Sequence, residues 1–247
     1  MGEPGATAIL LLAGLLAGTV GTAGGITSIV SYPVLLFVGL SRLPADTVNL
    51  VAAVACWPGA ALASRAELVN QRPRLLRAMA AAAAGAALGA VLLISTPASA
   101  FGRIVPYLVI AASVSLVLQP WLTRHMRGRR HAAAAITLPA VGLVSVYGGY
   151  FGAGSGVMLL AAWLVLVDDR MPHANAAKNM LVGATSVTAS VVVVAGGSVA
   201  WSAVAPLAVG MFAGGTIGPR VSRHLPPAVI RWLVAALGAG LALQLWR

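Results

Sequence analysis

Apolar residues run through this chain in blocks about 15 to 20 residues long, close to the roughly 20 needed to cross a bilayer as a helix. Clusters of glycine, proline and charge separate the blocks. Read on this pattern, the sequence predicts ten helical segments, at 6–20, 25–40, 45–63, 75–95, 104–122, 132–149, 156–167, 174–196, 202–218 and 228–246. Several are short for a full crossing, and no stretch of globular composition lies between them. The expected fold is therefore all-α and polytopic.

The two halves of the chain repeat one pattern. Gly18, Gly21 and Gly25 match Gly149, Gly152 and Gly156 at a constant offset. The segments that follow lead to Pro44 and Asn49 in one half and to Pro172 and Asn179 in the other, and Gly85, Gly89 and Pro97 resemble Gly214, Gly218 and Pro226. Recurrence on this scale in an apolar chain predicts duplicated membrane halves of about five segments each. Their expected bounds are 1–123 and 132–247, joined by a basic linker at 124–131.

Charge adds the orientation. Sixteen Lys and Arg stand against five acidic residues (Glu3, Asp46, Glu67, Asp168 and Asp169), for a net charge of +11, yet only 9% of the chain is charged and its mean hydropathy is +0.93. The basic residues concentrate in short loops, Arg65 to Arg77, Arg124 to His131 and Arg220 to Arg231, whereas the loops at 95–103 and 195–202 carry one charge and none. That placement follows the positive-inside rule and points to a lipid bilayer as the partner, not to nucleic acid. With the basic loops in the cytoplasm, and with all segments crossing or the pairs flanking each glycine cluster forming hairpins that do not, each half makes an odd number of crossings and the second half is inverted relative to the first. A single broken helix in place of each pair would break this pattern by putting Arg220 to Arg231 outside. The loop charges reverse between the halves as an inverted repeat requires. Met1 to Thr7 holds Glu3 and no Lys or Arg, so no cleavable signal peptide is expected. The single cysteine, Cys56, allows no intrachain disulfide.

The candidate chemistry sits at two glycine-rich stretches, Gly18 to Ser28 and Tyr147 to Gly156. Each glycine costs a helix about 1 kcal/mol relative to alanine, so both stretches are expected to break their helices near the midplane. Irregular backbone at that depth is tolerated only inside protein or along a cavity. A break also exposes the first N–H groups of the next helix, an anion-binding element. Two such breaks meeting would form one site from Gly24, Gly25, Thr27, Ser28, Gly154, Ser155 and Gly156, with the hydroxyls of Thr27, Ser28 and Ser155 as added donors. Close packing between helices is the competing reading of the same glycines.

Asn49 and Asn179 are polar residues in matched apolar segments and need partners there. Lys178 offers a fixed positive charge to an anion, and snorkelling to the nearby Asp168 to Arg170 loop explains it equally. Asp168, Asp169 and His173 are candidates for relaying a coupling proton, although a hydrated loop accounts for them more simply. His125, His131 and His224 show no metal-ligand spacing, and no metal or other cofactor is expected.

At these residues the sequence resembles the TauE/SafE family of sulfite and organosulfonate exporters. The resemblance rests on the twin glycine-rich stretches, on Ala176-Ala-Lys-Asn-Met-Leu-Val-Gly183, on Trp201 followed by Gly214-Gly-Thr-Ile-Gly-Pro-Arg220, and on Leu225-Pro-Pro-Ala-Val-Ile-Arg231. Gly85-Ala-Ala-Leu-Gly-Ala90 and Phe101-Gly-Arg-Ile-Val-Pro106 fit as well, so nearly the whole chain is covered. The chain departs from the family at Thr22-Ala23-Gly24-Gly25, where a fuller glycine run is usual, and at Ser155, which interrupts the second run.

The resemblance implies a permease in the plasma membrane of a bacterium that exports a small sulfur-containing anion. Joined to the residue-level reading, it predicts alternating access around Gly24, Gly25, Thr27, Ser28, Asn49, Gly154, Ser155, Gly156, Lys178 and Asn179, with a coupling proton or ion and a homo-oligomer as further possibilities. One competing class is a receptor or assembly subunit, which would want longer loops. Another is an intramembrane enzyme using Ser155 in Ala153-Gly-Ser-Gly156. That would need a histidine within a later span to activate the serine, and His173 and His224 are expected in loops.

Overall fold

The computed structural model describes residues 3–125, 134–168, 170–197 and 199–222, and every regular element among them is helical. The helices are α1 (Glu3–Gly24), α2 (Thr27–Phe37), α3 (Arg42–Ala53), α4 (Cys56–Ala63), α5 (Arg65–Leu68), α6 (Arg72–Ser95), α7 (Ala98–His125), α8 (Ala134–Tyr150), α9 (Ser155–Leu166), α10 (Met171–Gly196) and α11 (Trp201–Ser222). A 3-10 turn, Val69–Gln71, leads into α6. Five of these stretches are long and apolar enough to cross a membrane: Gly5–Gly24, Arg42–Ala63, Arg72–Ser95, Met171–Gly196 and Trp201–Ser222. The chain is thus a multi-pass, all-α membrane protein. The segment expected at 228–246 and most of the linker at 124–131 lie outside the described residues.

Two segments differ from expectation. The stretch expected as one helix at 45–63 is divided into α3 and α4, and its backbone tightens there through Val54 N–H to Val51 O and Ala55 N–H to Ala52 O bonds at 3.3 and 3.0 Å. Pro58 is the cause, because its ring has no N–H and crowds the carbonyl four residues earlier, on Val54. The segment expected at 25–40 forms only the 11 residues of α2. At 1.5 Å per residue such a helix is about half as long as the hydrocarbon layer is thick.

Helix directions follow from paired contacts. Gly14 and Gly18 of α1 lie against Gly210 and Met211 of α11, and Thr22 against Gly218, so α1 and α11 run parallel. Gly85 of α6 lies against Gly142 of α8, and Gly89 against Val146 and Tyr150, making that pair parallel too. Gln71 meets His173 at the start of α6 and α10, and Ile94 meets Gly196 at their ends. Leu50 pairs with Ser190, and Trp57 with Met180, so α3 and α4 run against α10. Asn175 reaches Ser222 across the ends of α10 and α11, whose other ends are joined by a short turn. In sum, α1, α3, α4 and α11 point one way and α6, α8 and α10 the other.

These directions gather Arg65, Arg72, Arg74, Arg77 and Arg220, all exposed, at one end of the bundle. The positive-inside rule assigns that end to the cytoplasm. Arg42 and exposed Arg103 mark the opposite end, where Arg42 Nη1 donates to Gly102 O at 2.6 Å.

The seams are built from missing side chains. A methyl added at Gly18 would sit 2.6 Å from Met211 O, one at Gly214 2.6 Å from Thr19 N, and one at Gly149 2.8 Å from Ala86 Cα. The backbones therefore touch, which is how membrane helices gain dispersion contact without a hydrophobic drive between them. Gly18→Val and Gly149→Val should each destabilise the solubilised protein by at least about 1–3 kcal/mol through overpacking. Gly5→Ala, whose added methyl meets nothing within 4 Å, should be neutral. Thermal unfolding in detergent measures all three.

Candidate functional site

The first glycine stretch breaks between α1 and α2, where Gly25 takes φ +89°, a conformation that favours glycine. The break leaves the last carbonyls of α1 without helical donors at a depth where water does not serve them. Helix α10 supplies the donors. Lys178 Nζ donates to Gly21 O at 2.9 Å and to Thr22 O at 3.1 Å. Asn179 Nδ2 and Asn175 Nδ2 each donate to Thr22 O at 3.1 Å, and Gly25 N–H closes onto Gly21 O at 2.6 Å.

Lys178 is fully buried, so it does not snorkel to the loop. No carboxylate among the described residues pairs with it. Its partner is the negative end of the α1 dipole, which carries about half a unit charge.

The start of α2 is held from the other side. Asn49 Nδ2 on α3 donates to Ser28 Oγ at 2.8 Å, and Asn49 Oδ1 accepts from Ser31 Oγ in a short hydrogen bond. Because Ser28 accepts from Asn49, its own proton remains available to a ligand.

The second stretch breaks between α8 and α9 with a longer turn, in which Gly152 and Gly154 take φ +81° and +78°. Tyr147 Oη donates to Ala153 O at 2.6 Å, and Ser155 Oγ to Gly152 O at 2.8 Å. The two breaks are thus built differently, as the interruption of the second glycine run by Ser155 foreshadows. They still meet. A Cβ on Gly156 would lie 2.7 Å from Gly25 Cα, and one on Gly25 2.5 Å from the Gly156 carbonyl carbon.

Where they meet, the N-termini of α2 and α9 border a cavity of about 30 Å³, lined by Gly21, Gly25, Thr27, Ser28, Asn49, Leu50, Ala53, Gly148, Gly152, Ser155, Gly156, Val182, Thr185 and Ser186. A second of about 20 Å³ adjoins it through Gly21, Thr27, Ala53 and Val182, with Thr22, Cys56, Trp57 and Asn179 on its own wall. The lining comes from the middle thirds of the Arg42–Ala63 and Met171–Gly196 stretches. The cavities therefore sit at mid-membrane depth.

Of the residues expected from sequence, Gly25, Thr27, Ser28, Asn49, Ser155 and Gly156 line the larger cavity, while Thr27 and Asn179 line the smaller. Gly24, Gly154 and Lys178 line neither. Lys178 acts from behind the wall, through Gly21 and Thr22. Thr185 and Ser186 went unmarked because short polar residues in an apolar helix look like packing points. Their spacing of six and seven residues from Asn179, about two helical turns, was the available signal.

The loop charges fall outside the site. Asp168 accepts from Arg170 Nη2 at 2.8 Å and from Arg170 Nε at 3.0 Å, and this pairing holds its carboxyl below the ordinary aspartate range. Asp169 lies outside the described residues.

The cap on α1 is testable. Lys178→Met removes two charge-assisted hydrogen bonds from carbonyls that Asn175, Asn179 and Gly25 still serve. It should cost about 1–3 kcal/mol, read as a lowered unfolding temperature of an otherwise folded protein.

The sequence matches the family described as Sulfite exporter TauE/SafE over residues 7–245. A probable membrane transporter protein, ORF9, of Sinorhizobium sp. is 27% identical over 239 residues, covering 96% of this chain and 91% of the relative. The probable membrane transporter protein YfcA of Escherichia coli K12 is 26% identical over 238 residues, 96% of this chain and 88% of its own length. A probable membrane transporter protein of Haemophilus influenzae is 23% identical over 234 residues, 93% and 90% of the two chains. No solved structure matches. With mid-membrane cavities at the meeting of two broken helices and a match along nearly its whole length, this chain belongs to the TauE/SafE family of membrane transporters.

Proposed function

We propose that the protein is a secondary transporter that exports a small sulfur-containing anion, sulfite or an organosulfonate, by alternating access. One observation carries the reading: two helix N-termini converge on a cavity backed by Lys178, with which no carboxylate among the described residues pairs. N-terminal N–H groups favour an anion, as does a protonated Lys178. Ser28, Thr27 and Ser186 add hydroxyls that can donate to its oxygens, whereas Thr185 Oγ1 donates to Ser145 Oγ at 3.2 Å. The sulfur chemistry comes from the name of the family.

The proposed site comprises Gly25, Thr27, Ser28, Asn49, Ser155, Gly156 and Asn179 at the cavity walls, with Gly24, Gly154 and Lys178 shaping the breaks behind them. At about 30 Å³ the cavity holds about two waters, less than a sulfonate needs, so binding must widen it. The proposed movement is a rocking of two inverted halves, 1–123 and 132–247. Its support is that Gly25 and Gly156, matched in sequence, touch one another, and that the matched helices α1 and α8, α3–α4 and α10, and α11 and α6 run in opposite directions.

Counterflow in proteoliposomes tests the reading with labelled sulfite, sulfate, thiosulfate and methanesulfonate. At least one should exchange. Gly156→Leu, which drives a side chain into Gly25, should reduce that exchange by about tenfold or more, equivalent to about 1.4 kcal/mol. Absence of exchange with all four anions overturns the substrate class.

Ser155→Ala separates transport from an enzyme reading. Its hydroxyl is committed to Gly152 O and no histidine lines either cavity. The variant should lose about 1 kcal/mol of stability and continue to exchange, whereas a nucleophilic serine would not survive the change.

A further inference from the structure

Asp46 stands apart from everything assigned so far. It lies near the start of α3, is fully buried, and neither carboxyl oxygen has a hydrogen-bond partner among the described residues. An ionised carboxylate in that position is expensive, costing several kcal/mol unless paired. Intramembrane ionisable groups are retained at such cost mainly where they serve function.

Its surroundings are specific. Among the described residues, the ionisable groups of neighbouring helices that feel its charge are Tyr32 of α2 and Tyr147 of α8. Both hydroxyls donate elsewhere, Tyr32 to Arg42 O at 3.3 Å and Tyr147 to Leu108 O and Ala153 O. Arg42, one turn earlier on the same helix, sends a guanidinium nitrogen to Gly102 O. Among the described residues, the other charged groups on helices packed against α3 are engaged elsewhere or exposed: Lys178 of α10 binds the end of α1, Arg220 of α11 binds Thr216 O, and Arg103 of α7 is exposed. Tyr32 of α2 forms an aromatic cluster with Phe151, edge to face, and through it with Phe101 of α7, the ring centroids 5.5 and 6.2 Å apart.

Asp46 also connects to the cavity. Asn49 and Leu50 lie three and four residues further along α3, on the same face, and both line the cavity. Asn49 is the residue that holds the first turn of α2.

We propose that Asp46 is the proton-carrying group of the transport cycle. It holds a proton while the aromatic cluster encloses it and releases that proton when α2 and α3 part and water enters. In the open state the N-terminal dipole of α3 favours the carboxylate. The inference rests on the transporter reading but not on which anion is carried.

Two measurements test it. In the first, proteoliposomes are given labelled methanesulfonate, whose charge does not change over the pH range used, and an imposed pH gradient in either direction. The wild type should accumulate label at one gradient polarity, by up to about tenfold per pH unit at one-to-one coupling. Asp46→Asn, close in shape to the neutral acid, should keep counterflow and lose this accumulation. Wild-type-like accumulation by the variant overturns the proposal, as does wild-type accumulation that follows a sodium gradient instead.

The second measurement needs no substrate. With Asp168→Asn and Asp169→Asn introduced, Asp46 is the only aspartate left of three. Infrared spectra of this protein carrying isotope-labelled aspartate should show a protonated carboxyl band at neutral pH. Its absence overturns the proposal even if methanesulfonate is not carried. Its presence in a protein that exchanges no anion leaves the proton site standing and removes only the assigned substrate.

Discussion

Everything at the centre of this molecule depends on satisfying the backbone where a helix ends inside the membrane. The break at Gly25 leaves the last carbonyls of α1 buried inside the bundle, and each such group costs several kcal/mol if left alone. Lys178, Asn175 and Asn179, within one stretch of α10, converge on Gly21 and Thr22 to meet that need. The cap does more than stabilise. It also sets the Lys178 amine behind the cavity wall, on the carbonyls of Gly21 and Thr22, so the repair of the break and the proposed anion site share one side chain.

The break is useful only because the helices around it are close. Glycine at Gly14, Gly18, Gly210 and Gly214 lets α1 and α11 touch backbone to backbone, and Gly85, Gly89 and Gly149 do the same for α6 and α8. These two seams bring α2 and α9 tip to tip at Gly25 and Gly156. Replacing either seam with larger residues would separate the tips and dissolve the cavity. Packing glycines and site glycines are therefore different residues of the same two stretches, and the two readings of glycine apply side by side.

Much of this was legible in the sequence because hydropathy and punctuation are local signals. The apolar blocks became helices, the two glycine stretches broke them, and Asn49 reached a cavity between the breaks. What failed to show was direction. Lys178 read equally as a binding charge or as a snorkelling side chain, because sequence does not say which neighbour a long side chain meets. Thr185 and Ser186 were hidden for the same reason. The division of α3 from α4 followed from Pro58, a signal present in the sequence but masked by the continuous hydropathy around it. Asp46 was only one of five acidic residues until burial singled it out.

By itself the sequence determined that the chain lives in a bilayer and roughly where its apolar helices fall, and it set the expectation of which end faces the cytoplasm. Those properties depend on transfer of side chains between water and lipid and on local backbone preference, both additive along the chain. The tertiary structure alone decided that Gly25 meets Gly156, that Lys178 serves α1, and that Asp46 is buried without a hydrogen-bond partner among the described residues. Such facts are set by contacts between residues more than a hundred positions apart for the first two, and for Asp46 by neighbours drawn from α2 and α8. No periodicity within one helix encodes them.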